Sequence, residues 1–358
     1  MPFTSLGSAE GKAAKRRNEI REAFHGIIEL ALVEKVEFLL ICGDLYEHEY
    51  VKKSTISFVN EEFGKIPNTR VIIIPGNHDP YLPGSVLRTF KWADNVYILA
   101  GEKELLEFEE PCVRISGSLK PSIRPKPSCI DVLMLHGTLN MEISKNAYNP
   151  LTSAQLDSSG MDYIALGHFH NRFEAEGKAR TAFNPGSPEP LGFDKEGSHG
   201  VYITEIFLEE TGTKHSEVRF IAINRRKYRS IDVNCEGCGN DEKAASITEA
   251  AIKESVSRED LFSVTLKGRV EAGYKPDIGR LEASQAEQCF FIKIKDNTVP
   301  GYDLEEIIKE PGIRGLFVKK MLERISQAEV AGDEEGRSLA LDSLYYGIQA
   351  LEQGEICL

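Results

Sequence analysis

The sequence predicts a layered α/β protein whose chemistry sits at strand ends, and three observations lead there. Four short apolar runs are continuous rather than alternating, which marks strands covered on both faces. They are Phe38-Leu39-Leu40-Ile41-Cys42, Val71-Ile72-Ile73-Ile74, Val132-Leu133-Met134-Leu135 and Tyr163-Ile164-Ala165-Leu166. Helical patterns precede the first run and fall between some of the others. Each run ends directly in a polar motif, and ligand sites in α/β sheets lie where such ends converge.

Taken in order, 18–35 reads as an amphipathic helix with Ile20, Phe24, Ile27, Ile28 and Ala31 on one face. Further helical patterns lie near 51–65 and 151–157. Asn184-Pro185-Gly186-Ser187-Pro188-Glu189-Pro190 is a turn-rich segment, followed by strand patterns at 200–206 and 218–223. Around 224–228 the composition shifts to a basic link, Arg225-Arg226-Lys227, which places a domain boundary there. The reading is a first domain over 1–224, a small α+β cap over 225–310 and helices over 311–358. Within the cap, 230–233, 264–270 and 290–294 are strand-like, while 241–256 and 278–287 are helical. The closing helices are 313–328 and 334–353. The latter carries Leu339, Leu341, Leu344, Tyr345, Ile348 and Leu351 for packing within the chain or on a partner.

The bulk numbers set limits. At 358 residues the chain has room for two or three domains with their own cores. No apolar run is long enough to span a membrane, and the first residues lack a secretory pattern, so the expected compartment is the cytoplasm. A formal charge of −13 argues against nucleic-acid binding by bulk electrostatics. It does not exclude a nuclease, because bound cations bring positive charge to the phosphate. Seven scattered cysteines do not look like a disulfide framework. Cys235 and Cys238 have C-x-x-C spacing, but no second pair follows at zinc-ribbon distance.

The strand-end motifs are Gly43-Asp44, Gly76-Asn77-His78-Asp79, His136-Gly137 and Gly167-His168-Phe169-His170. Singly, each dipeptide reads as a turn; four in succession at strand ends read as a metal centre. Two divalent ions held about 4 Å apart clamp a phosphoryl group and activate water. The ligand between them should be a carboxylate, and Asp44 is the candidate. Asn77, His136, His168 and His170 complete the shells with neutral donors, a mix that suits manganese, iron or zinc better than calcium. On an extended segment His168 and His170 leave on the same side, one for each ion. His78 is the candidate general acid, with Asp79 to orient it.

In these motifs and their order, the chain resembles the calcineurin-like metallophosphoesterase superfamily. Within it the chain is most similar to the SbcD-type DNA-repair exonucleases, on Ile41-Cys42-Gly43-Asp44-Leu45-Tyr46, Pro75-Gly76-Asn77-His78-Asp79-Pro80, Leu135-His136-Gly137, Leu166-Gly167-His168-Phe169-His170 and the Pro185-Gly186-Ser187 turn. The resemblance implies an α/β/β/α core with a C-terminal cap. It implies one metal on Asn77, His136 and His168, a second on His170, Asp44 between them and His78 in catalysis. It also implies manganese, dimers, an SMC-like ATPase partner of the SbcC type, and DNA as substrate. Two departures stand out. Some double-strand-break nucleases place a histidine three residues after the bridging aspartate, where this chain has Glu47; the neighbouring His48 reads as a solvated loop residue. The family also opens with an Asp-x-His strand that has no counterpart upstream of Asp44. The expectation is that Met1 is an internal methionine of a longer protein; the alternative is a natural loss.

Basic groups lie at Lys12, Lys15, Arg16 and Arg17, at Lys120, Arg124 and Lys126, and at the junction. The junction residues Arg225, Arg226, Lys227 and Arg229 are the candidate phosphate contacts. The leading functional reading is a metal-dependent DNA phosphodiesterase acting in repair. The rivals are a phosphoesterase for phosphoproteins, nucleotides or small phosphodiesters, and an assembly subunit without catalysis.

Overall fold

The computed structural model describes residues 11–120, 123–140, 148–176, 181–209, 211–254 and 258–353. The chain divides into two units, Met1–Ser230 with Glu259–Leu261, and Ile231–Arg258 with Phe262–Leu358. The first boundary falls at Ser230, a few residues past the basic link, and the closing helices group with the cap.

The first unit runs α1 (Lys12–Val33), β1 (Phe38–Cys42), α2 (Lys53–Gly64), β2 (Arg70–Ile74), α3 (Val86–Thr89), β3 (Val96–Ile98), β4 (Leu105–Phe108), β5 (Val113–Ser116) and β6 (Ile130–His136). It continues with α4 (Ser153–Ser159), β7 (Tyr163–Gly167), β8 (Phe173–Glu176), β9 (Thr181–Asn184), β10 (Gly200–Leu208) and β11 (Lys214–Ala222). Strands β1-β2-β3 form a parallel sheet. A six-stranded mixed sheet has the order β4-β5-β6-β7-β9-β8, and β10 and β11 form an antiparallel hairpin.

Period-two alternation along β2 builds the layers. Val71 and Ile73 pack with Ile28 and Ala31 of α1 and Ile56, Val59 and Phe63 of α2. Ile72 and Ile74 point the other way and share a cluster with Val132 and Met134 of β6. The opposite face of the second sheet, Leu133, Leu135, Ile164 and Leu166, is covered by Leu156 of α4. The result is helix, sheet, sheet, helix, and it explains why these runs lack polar alternation. Val71, Ile72 and Ile73 are all 0% exposed, each stabilising by about 1.5–3 kcal/mol. Truncating Ile72 to alanine would cost about 2–5 kcal/mol.

Local signals fix the helix ends. Thr152 and Gln155 form a capping box at the start of α4, and Gly160 closes it in the left-handed conformation. Helix α1 begins at Lys12, earlier than its apolar stripe suggested. Strands β3 to β5, β8 and β9 were not foreseen from sequence, being three or four residues long, too short to show a period.

Among the described residues the cysteines form one disulfide and no framework: Cys112 is bonded to Cys129. Register explains it. The Ile130 amide donates to the Cys112 carbonyl at 2.8 Å, so the residues preceding β5 and β6 become neighbours, with Cα atoms 4.7 Å apart.

The second unit holds most of β12 (Tyr228–Asn234), then α5 (Asp241–Lys253), β13 (Leu261–Lys267), β14 (Arg269–Ala272), α6 (Ile278–Ser284), β15 (Phe291–Asp296) and β16 (Val299–Gly301). Its main sheet has the order β12-β13-β15. Cys235 and Cys238 are buried in its apolar cluster with Phe262, Val264 and Leu266. Burial and the neighbouring thiol push Cys235 up to about 11. The closing helices α7 (Leu304–Lys309), α8 (Ile313–Ala331) and α9 (Glu334–Gln353) have their own core of Ile307, Val318, Ile325, Leu344 and Ile348. No helix among the described residues is long and apolar enough to cross a membrane.

Candidate metal centre

Four strand ends deliver the centre. Asp44 follows β1, Asn77 follows β2, His136 is the last residue of β6, and His168 follows β7. Because β6 and β7 are parallel and in register at His136 and Gly167, the two histidines emerge side by side.

Small residues let these ends approach. A Cβ on Gly76 would lie 2.2 Å from Asp44 Oδ1, and one on Gly167 would lie 1.9 Å from the Cys42 carbonyl oxygen. Asp44 and His168 themselves adopt positive φ, 55° and 95°, uncommon for side chains and typical of functional turns. The extended geometry expected for the His168–His170 pair therefore does not hold at His168.

Ligand atoms of Asp44, His136 and His168 all lie within 4.8 Å of one another. Asn77 Oδ1 sits 2.9 Å from His136 Nε2 and 3.0 Å from His168 Nδ1, and Asp44 Oδ2 is 3.3 Å from His136 Nε2. His136 Nδ1 donates to the Cys42 carbonyl at 2.7 Å, which leaves the Nε2 lone pair aimed inward in the neutral ring. In that tautomer two lone pairs, on Nε2 and Oδ1, face each other at 2.9 Å, an arrangement a shared cation relieves. The donor set of one carboxylate, one amide oxygen and two imidazoles fits a first-row divalent ion. His170 is not among this converging group.

The electrostatics follow the geometry. Burial would lift the Asp44 carboxyl, but the His136 hydrogen bond and the His78 amide outweigh it and hold it below the usual range. Burial would lower His136, yet Asp44 and the Cys42 carbonyl raise it, so a proton and a cation compete for the same nitrogen. His168 is lowered by burial and by His136, and His170 by burial and by Lys195. Both are thereby biased toward the neutral form that ligates.

The partner of His78 differs from expectation. Asp79 is 0% exposed and accepts the backbone amides of Gly76 at 2.6 Å, Leu45 at 2.8 Å and Asp44 at 2.9 Å. It ties the β1 and β2 loops together instead of orienting His78. Glu47 takes that place, its Oε2 lying 2.7 Å from His78 Nδ1. The same loop contact is secured by the His78 amide on Asp44 Oδ1 and the His48 amide on the His78 carbonyl. His48 is half-buried with a buried Nδ1, not solvated as expected. Tyr148 gave no signal in the sequence. Its ring stacks on His168 at 5.9 Å and meets His136 edge-on at 5.7 Å.

The junction arginines are also reassigned in part. Arg226 is 0% exposed; it grips Glu19 through Nε and Nη2 and reaches Glu259 at 2.7 Å through Nη1. A guanidinium so buried and paired cannot meet a phosphate. Arg16, from the first basic group, is buried in the same network with Glu19 and Glu189. Arg229 is held by Asp260 at 2.7 Å, whereas Arg225 is half-exposed beside Glu22 and Lys227 is partly exposed.

Residues 14–172 match the model of the calcineurin-like phosphoesterase family. The chain is similar to an uncharacterized metallophosphoesterase, YhaO, of Bacillus subtilis strain 168: 27% identical over 197 residues, covering 50% of this chain and 48% of that protein. It is also similar to the DNA double-strand break repair protein Mre11 of Methanopyrus kandleri, 25% identical over 349 residues, covering 85% of this chain and 74% of that one. Mre11 of Archaeoglobus fulgidus is 22% identical over 371 residues, covering 92% and 80%. The match thus spans about half the length of the Bacillus relative.

Proposed function

Residues 14–172 form a calcineurin-like metallophosphoesterase domain homologous to the Mre11 proteins, and from that premise we propose that the chain is a metal-dependent DNA phosphodiesterase, a nuclease subunit acting in DNA repair. The observation that carries the chemistry is the convergence of Asp44, Asn77, His136 and His168, with the His136 tautomer set by the Cys42 carbonyl. Support for DNA as substrate is the pair of Mre11 relatives aligned over 85% and 92% of this chain. Manganese is the proposed ion, with iron or zinc as chemically compatible alternatives. An SMC-like ATPase of the SbcC type and a second copy of this chain are the proposed partners.

A divalent cation at this centre would supply Lewis acidity toward a phosphoryl oxygen and toward an attacking water. The side chains do the rest. Asp44, Asn77, His136 and His168 would hold that ion, and Asp44 supplies negative charge that partly balances it. With His78 Nδ1–H donated to Glu47, the ring is fixed; its charged form carries a second proton on Nε2, which passes to the departing oxygen and leaves the neutral ring. Asp79 keeps Asp44 and His78 in one frame through the three amides it accepts. The half-exposed Arg225 and Lys227 remain as candidate phosphate contacts; Arg226 does not.

The test is manganese-dependent cleavage of linear DNA, with Asp44→Asn as the control that should abolish it. Hydrolysis of bis-p-nitrophenyl phosphate without cleavage of DNA would move the reading to another phosphoesterase. Bound manganese with neither substrate turned over would leave a metal-binding assembly subunit.

A further inference from the structure

A cavity of about 300 Å³ opens beside the metal centre, and nothing in the chemistry above uses it. His136 and Tyr148 line it and belong also to the centre, so whatever fills it lies within one nucleotide's reach of the reacting phosphorus. Its remaining wall is mixed: Ile74, Leu99 and Leu135 are apolar, Tyr81 is aromatic, and Ser118 and Glu104 carry hydrogen-bonding groups.

The Tyr81 ring is held in place. Gly101 turns against it at φ 68°, where an added Cβ would stand 3.2 Å from the ring edge, and the Arg88 guanidinium lies 5.8 Å from the ring centroid. Glu104 is fixed by Lys120 at 2.6 Å. The cavity is therefore a built recess with a positioned aromatic wall and a positioned carboxylate.

Size and chemistry decide the occupant. This volume is at the lower limit for small-molecule sites, enough for a single ring system and far too small for duplex. A nucleobase offers two π-faces for stacking and a polar edge for groups such as Ser118 and Glu104. A base still paired in a helix cannot enter. We propose that this cavity is a subsite for one unstacked nucleobase next to the scissile phosphodiester, so that the enzyme favours single-stranded or frayed ends. The proposal rests on the phosphodiesterase reading and adds the substrate form to it.

The experiment is calorimetric binding to the full chain supplied with manganese, comparing deoxyadenosine 5′-monophosphate with 2-deoxyribose 5-phosphate. The base should tighten binding about 5- to 150-fold, the range of one base–aromatic stack. Tyr81→Ala should erase that increment and Tyr81→Phe should keep it, while affinity for the sugar phosphate stays unchanged in both. Because Tyr81 also packs on the core, Ser118→Phe provides a second probe that fills the cavity without removing core contacts, and it too should erase the increment. Equal binding of the two probes by the unmodified chain, or an increment that survives both Tyr81→Ala and Ser118→Phe, overturns the subsite and leaves the phosphoesterase reading intact. Binding of neither probe overturns both.

Discussion

Replacing Glu19 with glutamine should lower the thermal midpoint of the first unit by about 6–20 °C, because it breaks a buried ion network. Glu19, Arg16, Arg226 and Glu189 form a buried set of two cations and two anions, all 3% exposed or less. Arg16 Nη1 and Arg226 Nη2 meet Glu19 at 2.6 and 2.7 Å, and Arg16 Nη2 meets Glu189 at 2.8 Å. Glu19→Gln keeps the shape and removes one negative charge, leaving two buried guanidiniums with one buried carboxylate; Glu259 on the rim is 52% exposed and compensates weakly. Breaking one partner of a buried network costs about 3–5 kcal/mol. For a unit of this size each kcal/mol moves the midpoint by about 2–4 °C, so thermal unfolding should fall by about 6–20 °C. The pH dependence is a second check. Burial would raise Glu19, but Arg226 and Arg16 outweigh it and depress its pKa. A depressed carboxylate contributes stability that is full above the unfolded value and lost as pH falls through the folded one. The gap between wild type and variant should therefore be widest near neutrality and close in acid. A shift below about 2 °C at neutral pH, or a gap that widens in acid, would mean that the buried network does not carry this stability.

The other expectations concern the centre and its surroundings. His78→Gln should lower kcat by about 10²–10⁴-fold, the usual contribution of a positioned acid, and Glu47→Ala by a smaller factor, with manganese content unchanged in both when measured by elemental analysis. Gly167→Ala drives a methyl into the Cys42 carbonyl that orients His136, so manganese affinity by calorimetry should fall about 10- to 100-fold, while wild type binds one ion tightly per chain. Arg226→Met should leave the salt dependence of DNA binding unchanged, and Arg225→Ala should reduce the slope by about one unit or less. His25 is raised chiefly by its hydrogen bond to Glu62, so its stabilisation is full below the unfolded imidazole value and is lost as pH rises through the raised one. Melting temperatures of His25→Asn and wild type should accordingly stay apart below about pH 6.5 and converge as pH rises above it, and constant separation would count against the pair.

The layers and most of the centre were legible because their signals are local. A run such as Val71-Ile72-Ile73-Ile74 states by itself that both faces are covered, and Gly76-Asn77 states that a ligand follows a close backbone approach. What escaped depends on separation along the chain. Asp79 looked like the partner of His78 because it is adjacent, yet neighbouring side chains leave in different directions. The actual partner, Glu47, arrives from a loop 31 residues earlier. Arg226 read as a phosphate contact because a cluster of like charges signals a surface. Its carboxylate lies 207 residues away on α1, and burial is set by that pairing. The Cys112–Cys129 bond depended in the same way on the register of β5 with β6, which no spacing rule reveals.

The charge on the centre also limits what it can hold. One divalent ion with Asp44 leaves a single positive charge, which one phosphodiester anion neutralises. Two divalent ions about 4 Å apart repel by roughly 16 kcal/mol even at an effective dielectric near 20. Among the described residues, Asp44 is the one carboxylate in the converging group, and His170 is a neutral donor outside it. A second ion at His170 therefore has to arrive with negative charge from elsewhere, either further carboxylates or the substrate itself. If the phosphodiester supplies part of it, ion and substrate strengthen each other's binding by the same factor, as linkage requires. The affinity of this centre for its second ion is then a property of the enzyme–substrate complex and not of the free chain.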